Sequence, residues 1–162
     1  MNVEEWWMRL PSGKKKMFLM EGAYDFVVVF GITQDKKVLV IKQFYISQQK
    51  RISSFVMGIV ERGEKPAATA KRELQEETGY KARRFVSLGI SIKGKYLTKN
   101  VYYYLALEIE RVAEPRLEPS EDITIELLSL SAFKKLLMKH RFEDVFAEVA
   151  AVRALQYLHY QL

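Results

Sequence analysis

GIVERGEKPAATAKRELQEETGY, running from Gly58 to Tyr80, decides how the rest of this chain is read. It reads as a loop feeding a helix. Gly63 marks a turn, Pro66 suits the first helical position because its missing N–H is no loss there, and Gly79 is the residue expected just past the helix end. The spacing predicts a helix from about Pro66 to Thr78. On it Glu73, Glu76 and Glu77 stand at i, i+3 and i+4 and share one face, with Thr69 one turn earlier, while Ala67, Ala70 and Leu74 form a neighbouring stripe that can bury the helix. Like charges at this spacing are destabilising and raise one another's pKa values. A hard divalent cation removes the conflict, and carboxylate oxygens are the ligands Mg²⁺ prefers. A solvated charged face is the ordinary explanation of an acidic helix. Against it stand Arg72 and Glu64, placed to brace the cluster, and the glycine-containing loop that brings backbone close to it.

Gly58, five residues, Glu64, seven residues, and then the run Arg72-Glu73-Leu74-Gln75-Glu76-Glu77-Thr78-Gly79-Tyr80 together resemble a complete Nudix box. Many fixed positions at fixed spacing make the signal specific. Outside the box the chain is similar, over nearly its whole length, to the ADP-ribose and nucleoside-diphosphate-sugar pyrophosphatase branch of that family. The Leu10-Pro11-Ser12-Gly13 hairpin, the strand ending Lys42-Gln43-Phe44, the Glu121-Asp122-Ile123 segment and a last helix after Phe142-Glu143-Asp144 carry this wider likeness. Three features depart from the branch. Ser54-Phe55-Val56-Met57-Gly58 stands where the branch has Glu-Leu-Pro-Ala-Gly, Tyr45 where it often has arginine, and the basic Lys93-Gly94-Lys95 where it has a Ser-Pro-Gly-type loop.

A chain of 162 residues with 49% hydrophobic content fits one globular domain, residues 1–162, with residues 1–22 as an N-terminal hairpin and dimerisation segment. There is no cysteine, which excludes a disulfide framework, thiol catalysis and a zinc-thiolate site and fits a reducing cytoplasm. Glu4 and Glu5 precede any apolar run, so no signal peptide is evident, and no run is long enough to span a membrane. The formal charge of +6 favours anionic ligands. It does not choose among nucleotides, nucleic acid and anionic lipid.

In chain order, Trp6-Trp7 and a Pro11-Ser12-Gly13 turn lead into Met17-Phe18-Leu19. Tyr24–Thr33 and Lys37–Phe44 read as an antiparallel pair, residues 48–51 as polar loop, and Phe55-Val56-Met57 as a short strand delivering the chain to Gly58. Ala82–Ile92 and Asn100–Glu108 read as strands around a basic loop, followed by the acidic loop Glu114–Asp122 and a strand Ile123–Leu127. Two helices close the chain, one capped by Ser131 and running to about His140, the other from Asp144 to about Tyr160. His140 and His159 lack a partner pattern and read as structural. The fold class is α+β: a Nudix-type α/β/α sandwich with a mixed sheet, the box loop and helix, and two C-terminal helices.

The resemblance implies hydrolysis of a phosphoanhydride in a nucleoside diphosphate linked to another moiety, of the ADP-ribose or nucleotide-sugar type, with Mg²⁺ as cofactor or Mn²⁺ in its place. It makes Glu73 and Glu77 first metal ligands, Glu76 a further ligand or water holder, and the Met57 backbone carbonyl the nonionic contribution. Glu64 and Arg72 become supports that orient the cluster. The general base is expected from a loop outside the box, with Glu121 preferred to Glu118. Arg51, Lys93 and Lys95 are candidates for gripping phosphates, and Trp6 or Trp7 for stacking on a base. A homodimer is expected, with a small nucleotide as the partner molecule, no membrane, and nucleic acid disfavoured but left open. Two other readings stay open: an RNA 5′-end pyrophosphohydrolase and a catalytically silent Nudix-like binding module.

Overall fold

The strand β3, Phe26–Ile32, is almost wholly buried, and its alternation decides the layering of the molecule. Val28, Phe30 and Ile32 point into one apolar cluster and Val27 and Val29 into another, on opposite faces of the same sheet. A strand covered on both sides needs no polar face, which is why this segment reads as a continuous apolar run rather than an alternating one. In β4, Lys37–Tyr45, Val38 and Val40 join the first cluster and Leu39 and Ile41 the second. The computed structural model describes residues 2–10, 12–22, 24–92, 99–117, 122–139 and 142–160.

Among the described residues the main sheet has seven strands in the order β5-β4-β3-β8-β7, with β6 pairing β3 and β9 pairing β4. Here β5 is Lys50–Ser54, β6 Val56–Ile59, β7 Tyr80–Ile92, β8 Asn100–Arg111 and β9 Ile123–Ser129. The β3–β8 pairing is parallel, with Val27 opposite Tyr102 and Val29 opposite Tyr104, and the other pairings are antiparallel, so the sheet is mixed. Helix α1, Pro66–Thr78, covers one face through Ala70 and Leu74. The other face is covered by α2, Leu130–Met138, and α3, Val145–Tyr157. There Phe30, Phe55, Phe133 and Phe142 form an aromatic centre with ring centroids 5.0 to 6.0 Å apart, the spacing favoured by tilted and edge-on rings. The arrangement is the expected α/β/α sandwich.

Several boundaries differ from the sequence reading, each for a tertiary reason. Residues 48–51, expected as loop, take in the end of a short turn, Ile46–Gln48, and then the start of β5, whose Lys50 and Arg51 pair with Tyr45 and Phe44 of β4. Cross-strand hydrogen bonding overrides the polar composition here. The box strand ends later than expected, at Ile59, because Gly58 opposite Val27 continues the ladder with β3. Helix α2 is capped by Ser129, whose hydroxyl accepts from the Ala132 N–H, and not by Ser131. Helix α3 is capped by Asp144 as expected but ends at Tyr157.

The hairpin of β1, Asn2–Arg9, and β2, Lys15–Gly22, forms a two-stranded sheet of its own, with Trp6 opposite Phe18 and Trp7 opposite Met17. Trp6 is 40% exposed and Trp7 72% exposed. No helix of the described residues is long and apolar enough to cross a membrane.

Candidate active site

Pro66 opens α1 and Gly79 closes it in the left-handed conformation, its N–H donating to the Gln75 carbonyl at 2.8 Å. Burial of Thr69, Ala70, Leu74 and Thr78 fixes the rotation of the helix. That rotation lays Glu73 directly on the backbone of Gly58 in β6; a Cβ at Gly58 would occupy the space of the Glu73 carboxyl. Glycine is therefore required at position 58 by close approach, since its backbone φ carries no strain. The same approach brings the Met57–Gly58 peptide beside the acid face.

Arg72 gathers the acids. Its Nη1 donates to Glu73 at 2.8 Å and to Glu76 at 2.9 Å, while its Nε and Nη2 donate to the two oxygens of Glu64 at 3.2 and 3.1 Å. Glu64 accepts a further bond from the Thr69 hydroxyl at 2.7 Å. The Arg72 guanidinium, followed by the Thr69 hydroxyl, holds the Glu64 carboxyl below the usual glutamate range, and Glu64 in turn raises the pKa of Arg72. Glu77 is buried, at 6% exposure, on the inner side of the cluster. One guanidinium thus faces Glu64, Glu73 and Glu76, with Glu77 close behind, so the cluster keeps an excess of negative charge.

Among the described residues no three His, Asp or Glu side chains converge on a single point as a finished metal cage. The residues still fit a hard divalent cation in kind: the side-chain donors are all carboxylate oxygens, and one of them lies against the Gly58 backbone.

The chain leaving β8 closes against the end of α1. Val112 and Ala113 donate their N–H groups to the Gly79 carbonyl at 2.9 and 3.1 Å, and Arg116 donates its N–H to the Glu76 carbonyl at 2.7 Å. A Cβ at Gly79 would collide with the Ala113 carbonyl, so this glycine serves both the left-handed cap and the contact. Between helix and loop lies a pocket of about 190 Å³ lined by Arg72, Gln75, Glu76, Ala113, Glu114 and Arg116. Sequence reasoning did not find this pocket; Arg116 lies in an irregular segment and carries no pattern of its own.

Arg51 sits at the far end of the same loop. It pairs with Asp122 and donates to the Thr124 hydroxyl at 2.7 Å and the Lys42 carbonyl at 3.0 Å. Its bonds fasten the loop to β4 and β9. Trp6 and Trp7 lie on the separate hairpin. Glu118, Glu121, Lys93, Lys95 and His140 lie outside the described residues.

A mixed sheet between helices, with clustered acids on a helix seated against the strand that carries Gly58, defines an α/β/α sandwich with an acidic helix face. The sequence profile of the NUDIX domain matches residues 25–149, and the chain belongs to the Nudix family as a pyrophosphohydrolase. It is 30% identical over 152 residues to the ADP-ribose pyrophosphatase of Bacillus subtilis (strain 168), covering 93% of this chain and 80% of that one. It is 28% identical over 158 residues to the methanol dehydrogenase activator of Bacillus methanolicus, covering 95% and 82%. Its fold superposes on the crystal structure of an ADP compounds hydrolase with a TM-score of 0.81 at 19% identity, covering 97% of this chain and 85% of the other.

Proposed function

We propose that the chain hydrolyses the phosphoanhydride of a nucleoside diphosphate joined to a second moiety, of the ADP-ribose type, to a nucleoside monophosphate and a phosphorylated product. The observation that carries this reading is the set Glu64, Glu73 and Glu76 held on one guanidinium, with Glu73 lying on Gly58. The substrate class is supported by the relative named ADP-ribose pyrophosphatase, which the chain matches over nearly its whole length.

Anionic phosphate oxygens repel a nucleophile, so a hydrolase of this bond has to neutralise charge and aim a water in line with the leaving group. A bound Mg²⁺, or Mn²⁺ in its place, supplies that neutralisation. Glu73 and Glu77 are assigned as its first ligands, with Glu76 and the Met57 carbonyl adjoining. Arg72 and Glu64 hold these carboxylates in place. Water attacks one phosphorus, the bond from that phosphorus to the bridging oxygen breaks, and the bridging oxygen leaves with the other phosphate. Glu121 is assigned to take the water's proton, with Glu118 as the second candidate. Arg51, Lys93 and Lys95 remain the candidates for gripping phosphate.

The test is turnover of a panel comprising ADP-ribose, GDP-mannose, UDP-glucose, NADH, dinucleoside polyphosphates and triphosphorylated RNA, each with Mg²⁺. Release of a nucleoside monophosphate from ADP-ribose or a nucleotide sugar is the expected result. Turnover of the RNA alone transfers the activity to RNA 5′ ends, and turnover of no member leaves a binding module. The same reading includes a homodimer formed through the N-terminal hairpin, supported by the exposed Trp7 and Leu19 on β1 and β2.

A further inference from the structure

The pocket between α1 and the loop after β8 adjoins the acid cluster, since Arg72 and Glu76 form its wall on that side. Arg72 and Arg116 line it, and Arg111 stands beside it through the lining residue Glu114; Arg72 and Arg111 are already committed. Arg72 is bonded to Glu64, Glu73 and Glu76. Arg111 pairs with Glu114 at 2.6 Å and reaches the Ala113 carbonyl at 3.5 Å. The Arg116 guanidinium makes no hydrogen bond or ion pair with a described residue, whereas its backbone N–H is fixed to the Glu76 carbonyl at 2.7 Å. The main chain is thus anchored to the acid-bearing helix while the charged end is left available. A guanidinium presents a planar fork of donors that matches a phosphate, and Gln75 adds a neutral amide on the same wall. At about 190 Å³ the pocket is below the roughly 300–1,000 Å³ of sites that enclose whole ligands, and suits a single anionic group.

We propose that this pocket receives a phosphate group of the substrate, with Arg116 as its charged grip. The proposal rests on the pyrophosphohydrolase reading above and adds to it a point of attachment beside the acid cluster. Glu114 does not oppose an anion there because Arg111 neutralises it. Glu76 shares the charge of Arg72 in the same way. The role is substrate binding, so it acts on affinity more than on the bond-breaking step.

The test uses the full chain and two variants, Arg116→Ala and Arg116→Lys, with two readouts: steady-state hydrolysis of ADP-ribose with Mg²⁺, and calorimetric binding of α,β-methylene ADP-ribose, which cannot be cleaved. Both variants keep the backbone N–H that holds the loop, and unchanged thermal midpoints confirm that the fold is retained. Arg116→Ala is expected to raise KM and the analogue's Kd about 10- to 100-fold, as for a lost charged hydrogen bond, with kcat within a few-fold. Arg116→Lys is expected to fall between, because a point charge replaces the fork. Wild-type turnover of ADP-ribose together with Kd and KM shifted less than twofold in Arg116→Ala overturns the pocket assignment while the functional reading survives. Where the wild type fails to cleave ADP-ribose, the substrate reading falls and analogue binding still decides the pocket: loss of binding on substitution supports it, and no binding by the wild type refutes it.

Discussion

Glu73, Glu76 and Glu77 are too close to share a helix face without a counter-charge, and at residue scale the fold supplies part of that charge from within, through Arg72. Arginine suits this position because one guanidinium reaches Glu64, Glu73 and Glu76 at once; a lysine ammonium presents no such fork. The proposed roles separate on substitution. Glu73→Gln and Glu77→Gln are expected to abolish turnover and also to remove the rise in thermal midpoint that Mg²⁺ or Mn²⁺ gives the wild type. Glu121→Gln is expected to keep that rise and to lower kcat by roughly 10²–10⁴-fold, the usual contribution of a positioned general base. Near-wild-type activity of Glu73→Gln or Glu77→Gln at saturating Mg²⁺ overturns the ligand assignment. A larger loss in Glu118→Gln than in Glu121→Gln passes the base role to Glu118.

At the scale of elements, the β4–β5 turn is tied to the start of α3. The Tyr45 hydroxyl donates to the Asp144 carboxylate at 2.5 Å, and Lys50 pairs with Glu143. The other oxygen of Asp144 caps the helix, accepting from the N–H groups of Phe146 and Ala147 at 2.8 and 3.1 Å. Burial first, and then the bond to Asp144, push the Tyr45 pKa from 10.0 up to about 12. The folded state therefore holds this proton more tightly than the unfolded chain. Its stabilisation is complete below pH 10.0 and is lost as pH rises toward about 12, because over that range the unfolded chain binds fewer protons. After allowance for the partial exposure of Tyr45, the effect is on the order of 1 kcal/mol. Urea midpoints measured across this range should fall less steeply for Tyr45→Phe than for the wild type; parallel alkaline limbs would count against the link. Asp144 as a helix cap is legible from its place before an apolar run. Its bond to Tyr45 is not, because 99 residues separate the two in sequence and only the sheet brings them together.

For the whole molecule, the N-terminal hairpin poses a question of cover. Two-stranded hairpins are marginally stable alone in water, and this one exposes Trp7, Met8 and Leu19 on its own small sheet. A second copy of the chain covers such a surface with closed symmetry. Sedimentation at micromolar concentration is expected to give a dimer, and deletion of residues 1–22 a monomer. A monomeric full chain removes both the dimer and the idea that Trp6 or Trp7 stacks on a base across the subunit boundary.

The local pattern of residues 58–80 was enough to place a helix, its two ends and its acidic face, because Pro66, Gly79 and the i, i+3, i+4 spacing act within a few residues of one another. The continuous apolar run of β3 likewise announced a strand, and the layers packed on it showed that both of its faces are buried. Only the tertiary structure decided which partners met. Glu73 came to rest on Gly58, Arg116 was fixed to the Glu76 carbonyl, and Arg51 was drawn to Asp122, through pairings between segments far apart in the chain. Periodicity reports which face of an element is buried. It does not report which other element covers that face, and the pocket beside the acid cluster exists only where two such elements close on each other.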